Sequence, residues 1–81
     1  MSITVEIFLY ASLAAYLPDK TAGRSMAIET AAGSRVADVL PQIGVPDKEV
    51  KLIFINGARK ELHHSLADGD RVGLFPPVGG G

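Results

Sequence analysis

The stretch that most restricts this chain is residues 36–43. Val36, Val39, Leu40 and Ile43 fall at i, i+3, i+4 and i+7, a narrow apolar stripe that suits a helix lying on one surface. Ser34 stands just ahead of it, where its hydroxyl is expected to take an orphan N–H of the first turn. Pro41 is the misfit. Inside a helix it cannot donate to the carbonyl of Ala37 and crowds it, at a cost of about 3 kcal/mol. A kink or break is therefore expected near Leu40, with Gly44 and Pro46 ending what remains.

The chain on either side of this stripe mostly has a period of two. Ile3, Val5, Ile7 and Leu9 alternate with Thr4, Glu6, Phe8 and Tyr10, the pattern of a half-buried strand with an aliphatic inner face. Ala11 to Leu17 suits a short helical turn, and Pro18 to Gly23 a loop. Ser25 to Thr30 forms a weaker strand with Met26 and Ile28 inward. Val50 to Ile55 is apolar almost throughout, as a central strand would be. Its Val50, Leu52 and Phe54 are expected on one face, and Lys51, Ile53 and Ile55 on the other. Asn56-Gly57 is a favoured type I′ turn pair, returning the chain into a short strand from Arg59 to Leu62. Leu66 is expected in the core. Asp68-Gly69-Asp70 turns into a last strand, Arg71 to Phe75, with Val72 and Leu74 inward.

Two strands, one helix and two or three further strands make an α+β domain. The expected fold is a β-grasp: a mixed sheet of four to five strands, one main helix on one face, and the first and last strands parallel in the middle. A single domain over residues 1–75 and a tail over 76–81 are expected. The reading places Phe8, Ile53, Ile55 and Phe75 on the sheet face away from the helix. An apolar cluster there is the signature of a partner surface.

The tail reads Pro76-Pro77-Val78-Gly79-Gly80-Gly81. The prolines cannot extend a strand ladder and form a stiff spacer, and the glycines leave a backbone thin enough for a narrow channel. Fully extended, six residues reach roughly 20 Å. At its end the α-carboxylate of Gly81 is the only chemistry on offer.

A hydrophobic fraction of 47% against 21% charged places the chain among globular domains, and a net charge of −1 argues against nucleic acid or an anionic membrane as partner. No apolar run approaches the length of a membrane span and no signal peptide is legible, so a cytoplasmic protein is expected. The chain has no cysteine, which removes disulfides, thiolate metal sites and a thiol nucleophile. His63-His64 lack a partner at metal-ligand spacing, and Asp68 and Asp70 lack the later ligands of a calcium loop. No metal, no bound cofactor and no catalytic pocket of its own are expected.

Asn56-Gly57, then Leu66-Ala67-Asp68-Gly69-Asp70-Arg71-Val72, then Leu74-Phe75-Pro76-Pro77-Val78-Gly79-Gly80-Gly81 resemble the MoaD/ThiS family of ubiquitin-like sulfur carriers. The ending is similar in particular to the small subunit of molybdopterin synthase. The resemblance implies that an adenylyltransferase related to ubiquitin-activating enzymes uses ATP and magnesium to adenylate Gly81, and that a persulfide donor then converts it to a thiocarboxylate. It further implies a heterotetramer with a large synthase subunit, into whose active site the tail delivers sulfur for a pterin precursor. Gly80 and Gly81 take the role of the family's terminal pair and Phe75 that of its docking aromatic, with Phe8, Ile53, Ile55, Pro76, Pro77 and Val78 beside it. Gly79 and Pro41 depart from the family's pattern. Thiazole, tRNA or an amino-acid precursor are alternative sulfur acceptors, and attachment through Gly81 to lysines of other proteins is an alternative role.

Overall fold

A computed structural model describes residues 1–17 and 25–77. The chain runs through β1 (Ser2–Leu9), a 3₁₀ helix (Ala11–Tyr16), β2 (Ser25–Ala31), α1 (Val36–Ile43), a second 3₁₀ helix (Asp47–Glu49), β3 (Leu52–Ile55), β4 (Ala58–Lys60) and β5 (Arg71–Phe75). The strands form one sheet in the order β2-β1-β5-β3-β4. The first and last strands lie parallel, and every other pairing is antiparallel. This is the expected β-grasp. The loop expected over Pro18 to Gly23 lies outside the described residues.

The core lies between the sheet and α1. Val5, Ile7 and Leu9 of β1, Val72 and Leu74 of β5, and Val36, Val39, Leu40 and Ile43 of α1 are all buried, joined by Leu13, Leu17, Val45 and Leu66. Ile53 and Ile55 belong to the same cluster, which corrects their expected place on the outer face. Register decides the matter. Ile53 lies opposite Leu74 and Ile55 opposite Val72, and residues facing each other across a ladder share a side of the sheet. Leu52 and Phe54 therefore point outward. A run that is apolar at both parities carries no alternation from which to read its faces.

Helix α1 differs from expectation at its start and at Pro41, and ends at Gly44 as expected. Its N-cap is Arg35, not Ser34, because the connection after β4 caps it with main chain. Val36 donates to the carbonyl of His64 (3.2 Å) and Ala37 to that of Leu62 (2.9 Å), while the Asp38 carboxylate accepts the Arg35 N–H at 2.8 Å. Ser34 is engaged elsewhere, its hydroxyl 3.0 Å from that of Thr30. Pro41 does not stop the helix, which continues to Ile43. It removes the single bond to Ala37. The last turn still closes because Gly44, with φ 76°, and Val45 both reach back to the Leu40 carbonyl, and a left-handed residue there suits glycine.

Asn56-Gly57 has the two positive φ values, 53° and 85°, that a type I′ turn demands. This turn and Asp68-Gly69-Asp70 are tied to each other. Asn56 Nδ2 donates to Asp70 Oδ1 (2.9 Å) and Asn56 Oδ1 accepts the Arg71 N–H (3.0 Å). Asp70 Oδ2 accepts the Ala67 N–H at 2.8 Å. The Asp68 carboxylate in turn accepts the Thr4 N–H at 2.8 Å, and Gly69 donates to the Thr4 carbonyl at 2.8 Å. The two motifs therefore set where β5 enters between β1 and β3.

Tyr16 and Glu49 join the two 3₁₀ helices through a 2.9 Å hydrogen bond. That bond to a carboxylate, with lost hydration and the nearby negative charge, holds the phenol above the usual tyrosine value. The contact is present below the unfolded pKa of about 10 and is lost as pH rises through the higher folded value. Thermal melts are expected to show a fall in stability above about pH 10 that is smaller in Tyr16→Phe. Equal falls in the two proteins would place the effect elsewhere. Asp70→Ala removes two accepting contacts and is expected to cost about 1–2 kcal/mol in urea unfolding. An unchanged midpoint would deny these contacts a role in stability.

Candidate functional site

The sheet face turned away from α1 is aromatic because of one register. Phe8 lies opposite Gly73, Gly73 opposite Phe54, and Leu52 opposite Phe75. Tyr10 extends β1 by one residue in backbone conformation, with φ −107° and ψ 155°. Phe8, Tyr10, Leu52, Phe54 and Phe75 are each half-buried. Sequence reasoning found Phe8 and Phe75 here. Tyr10 is also on this face, as the alternation of β1 indicates, and Leu52 and Phe54 replace Ile53 and Ile55.

The rings have a defined order. Tyr10 and Phe75 stack in parallel, centroids 4.4 Å apart and planes 3° from each other. Phe54 meets Phe75 edge-on at 5.6 Å and 78°. Both are favoured arrangements of aromatic quadrupoles. Gly73 lies bare beside the stack. A Cβ at that position would lie 3.4 Å from Tyr10 Cε2 and 3.7 Å from the Phe75 ring, ordinary contact for an alanine, with a branched side chain reaching toward the rings.

The end of β5 is held on both flanks. Tyr10 donates to the Leu74 carbonyl (3.2 Å) and Lys51 to that of Phe75 (2.7 Å). Pro76 is buried and Pro77 exposed, so the chain stays packed for one residue past the strand. Val78, Gly79, Gly80 and Gly81 lie outside the described residues. Charges flank the aromatics in neighbouring ladder positions: Glu6 opposite Arg71, and Arg59 opposite Phe54.

Little else offers chemistry. Among the described residues no group of three or more His, Cys, Asp or Glu could hold a metal ion. His63 is exposed and His64 half-buried. A groove of ≈ 460 Å³ at the C-terminal end of α1, lined by Ala37, Leu40, Pro41, Gly44, Val45, Pro46 and Asp47, has one ionisable side chain. No described helix is long and apolar enough to cross a membrane. The arrangement can bind a flat apolar surface, with the exposed Pro77 following the strand that ends there. Gly73→Val is expected to separate the rings, seen as loss of near-ultraviolet circular dichroism and of Tyr10–Phe75 nuclear Overhauser contacts. Retention of both would show that the face does not depend on a bare residue 73.

The family model for Mut7-C ubiquitin matches residues 2–79. The fold is shared with HVO 2177 of Haloferax volcanii, at 25% identity and TM-score 0.75, covering 99% of this chain and 88% of the other. SAMP1 of Haloferax volcanii is similar at 25% identity and TM-score 0.70, covering 96% and 99%. The Pyrococcus furiosus protein assigned as molybdopterin converting factor subunit 1 is similar at 27% identity and TM-score 0.69, covering 94% and 99%. No curated protein matches.

Proposed function

We propose that this chain, which belongs to the Mut7-C ubiquitin family, is a sulfur carrier whose working group is the α-carboxyl of Gly81. The observation that carries the reading is the pairing of an open aromatic face with a strand that ends beside it in Phe75-Pro76-Pro77. One surface docks on a partner while the adjoining end enters that partner's active site. The likeness to molybdopterin converting factor subunit 1 supports a role in forming a dithiolene pterin as the small subunit of a synthase. The acceptor follows from the larger subunit that takes up the tail.

A carboxylate is a poor electrophile with a poor leaving group, so activation comes first. A carboxylate oxygen of Gly81 attacks the α-phosphorus of ATP in an adenylyltransferase that binds magnesium, and pyrophosphate leaves. The terminal sulfur of a donor persulfide attacks the acyl carbon, AMP departs, and an acyl disulfide forms. A thiol then cleaves that disulfide, leaving a thiocarboxylate on Gly81 and a mixed disulfide on the donor side. The carrier supplies position and no catalytic group. Docking turns the encounter of two molecules into a nearly unimolecular step, and the sulfur rides on the main chain of a protein without cysteine.

A second reading has a specific support, the likeness to SAMP1, the small archaeal modifier protein. The same acyl-adenylate attacked by a lysine amine gives an amide and AMP, attaching this chain to another protein. One experiment separates the two. Incubation with the cognate adenylyltransferase, ATP, magnesium and a persulfide donor is expected to exchange one oxygen for sulfur, localised to Gly81 by tandem mass spectrometry. In cell extract, higher-mass adducts that vanish on deletion of Gly80 and Gly81 are the signature of the modifier. An unchanged mass with an active cognate enzyme would overturn the carrier, and an absence of such adducts would overturn the modifier.

A further inference from the structure

Ala11 is in the left-handed region at φ 53°, a conformation that alanine adopts only under constraint. It lies directly after Tyr10, and that position gives the strain a purpose. Tyr10 is still extended, and its N–H still pairs with the Leu74 carbonyl at 3.2 Å. One residue later the chain must turn at once, because Leu13, fully buried, has to reach the core. Leu13 also donates to the Tyr10 carbonyl at 3.0 Å. The backbone of Tyr10 is thus gripped on both sides, and its ring lies over Gly73 and flat on Phe75.

We infer that Tyr10 is a positioning residue for the tail: its ring, set by the left-handed turn at Ala11, fixes Phe75 and with it the direction in which Pro76-Pro77 leave the sheet. Three independent features meet at this point: the strained turn, the bare Gly73 and the parallel stack. Phe54 closes the remaining side of Phe75 edge-on. The last rung, Lys51 to Phe75 at 2.7 Å, then holds a residue whose ring is stacked on Tyr10 and met edge-on by Phe54. The two prolines transmit that orientation outward, since each has its φ locked. A tail leaving at a defined angle spends more of its time aligned with a partner's channel, which is how orientation raises a rate.

The functional part of this inference rests on the carrier reading, and the experiment has an arm that does not. Amide hydrogen exchange in Tyr10→Ala is expected to accelerate at Lys51 by about tenfold or more, while Ile7 and Val72 keep their protection. Tyr10→Phe, which keeps the stack, is expected to match the unsubstituted chain. Tyr10→Leu, which fills the space without a flat ring, separates loss of stacking from loss of packing and serves if the alanine variant unfolds. It is expected to behave as the alanine variant does. Unchanged exchange at Lys51 in both Tyr10→Ala and Tyr10→Leu would overturn the clamp whatever the protein's function. In adenylation by the cognate enzyme, Tyr10→Leu is expected to lower kcat about tenfold, with any change in KM reporting its place on the docking face, and Tyr10→Phe to restore kcat. A raised KM at constant kcat would make Tyr10 a contact residue and overturn its positioning role. Failure of the unsubstituted chain to be adenylated would count against the carrier reading and leave the exchange result intact.

Discussion

The structure depends on a pairing between its two ends. β1 and β5 lie side by side and parallel, although almost the whole chain separates them. A parallel pair has no hairpin to close it, so its register has to be set by contacts beyond the two strands themselves. Here the main chain and carboxylates of the Asp68-Gly69-Asp70 turn receive β1 at Thr4 and Glu6. The Asn56 amide secures the same turn from the β3 side. Two sequence motifs with the look of chemical signatures are thus architectural. They hold the central strand at the depth that lets Val72 and Leu74 meet the core and Phe75 emerge on the other side.

From that placement the two faces of β5 take different work. The inner face is aliphatic and covered by α1. The outer face has a glycine at its middle and a phenylalanine at its end, and its neighbours on both sides contribute rings. Gly73 is unfavourable as a strand residue in its own right, and the aromatic side chains that fold over it recover much of the lost packing. Polar groups inside the molecule are matched: among the described residues no buried side-chain nitrogen or oxygen lacks a partner. Even Thr30, the buried polar residue, accepts from Gln42 Nε2 at 2.9 Å. The interior is therefore settled, and the open chemistry of the described molecule lies along one sheet face.

Most of the fold was legible because local signals agreed with one another. The alternation of β1, the helical stripe of α1 and the Asn56-Gly57 turn each name their element without reference to the rest. The faces of β3 were not legible, since Leu52, Ile53, Phe54 and Ile55 are all apolar and only pairing with β5 distinguishes them. Ser34 misled for a related reason: a side-chain cap is a local device, whereas the carbonyls of Leu62 and His64 arrive from a distant segment. Pro41 read as a breaker, and the helix is short enough that one missing bond leaves its last turn intact. At the site, Phe8 and Phe75 followed from strand patterning. The role of Tyr10 needed the ring geometry and the turn at Ala11, which no spacing rule reports.

The placement of β5 between two neighbours also has a mechanical consequence. A pull transmitted to Phe75 along the axis of β5 would load the bonds to β1 and β3 together in shear, not open them one after another as a hairpin unzips. Tension along that strand is thereby spread over the middle of the sheet, and the interior stays closed under load.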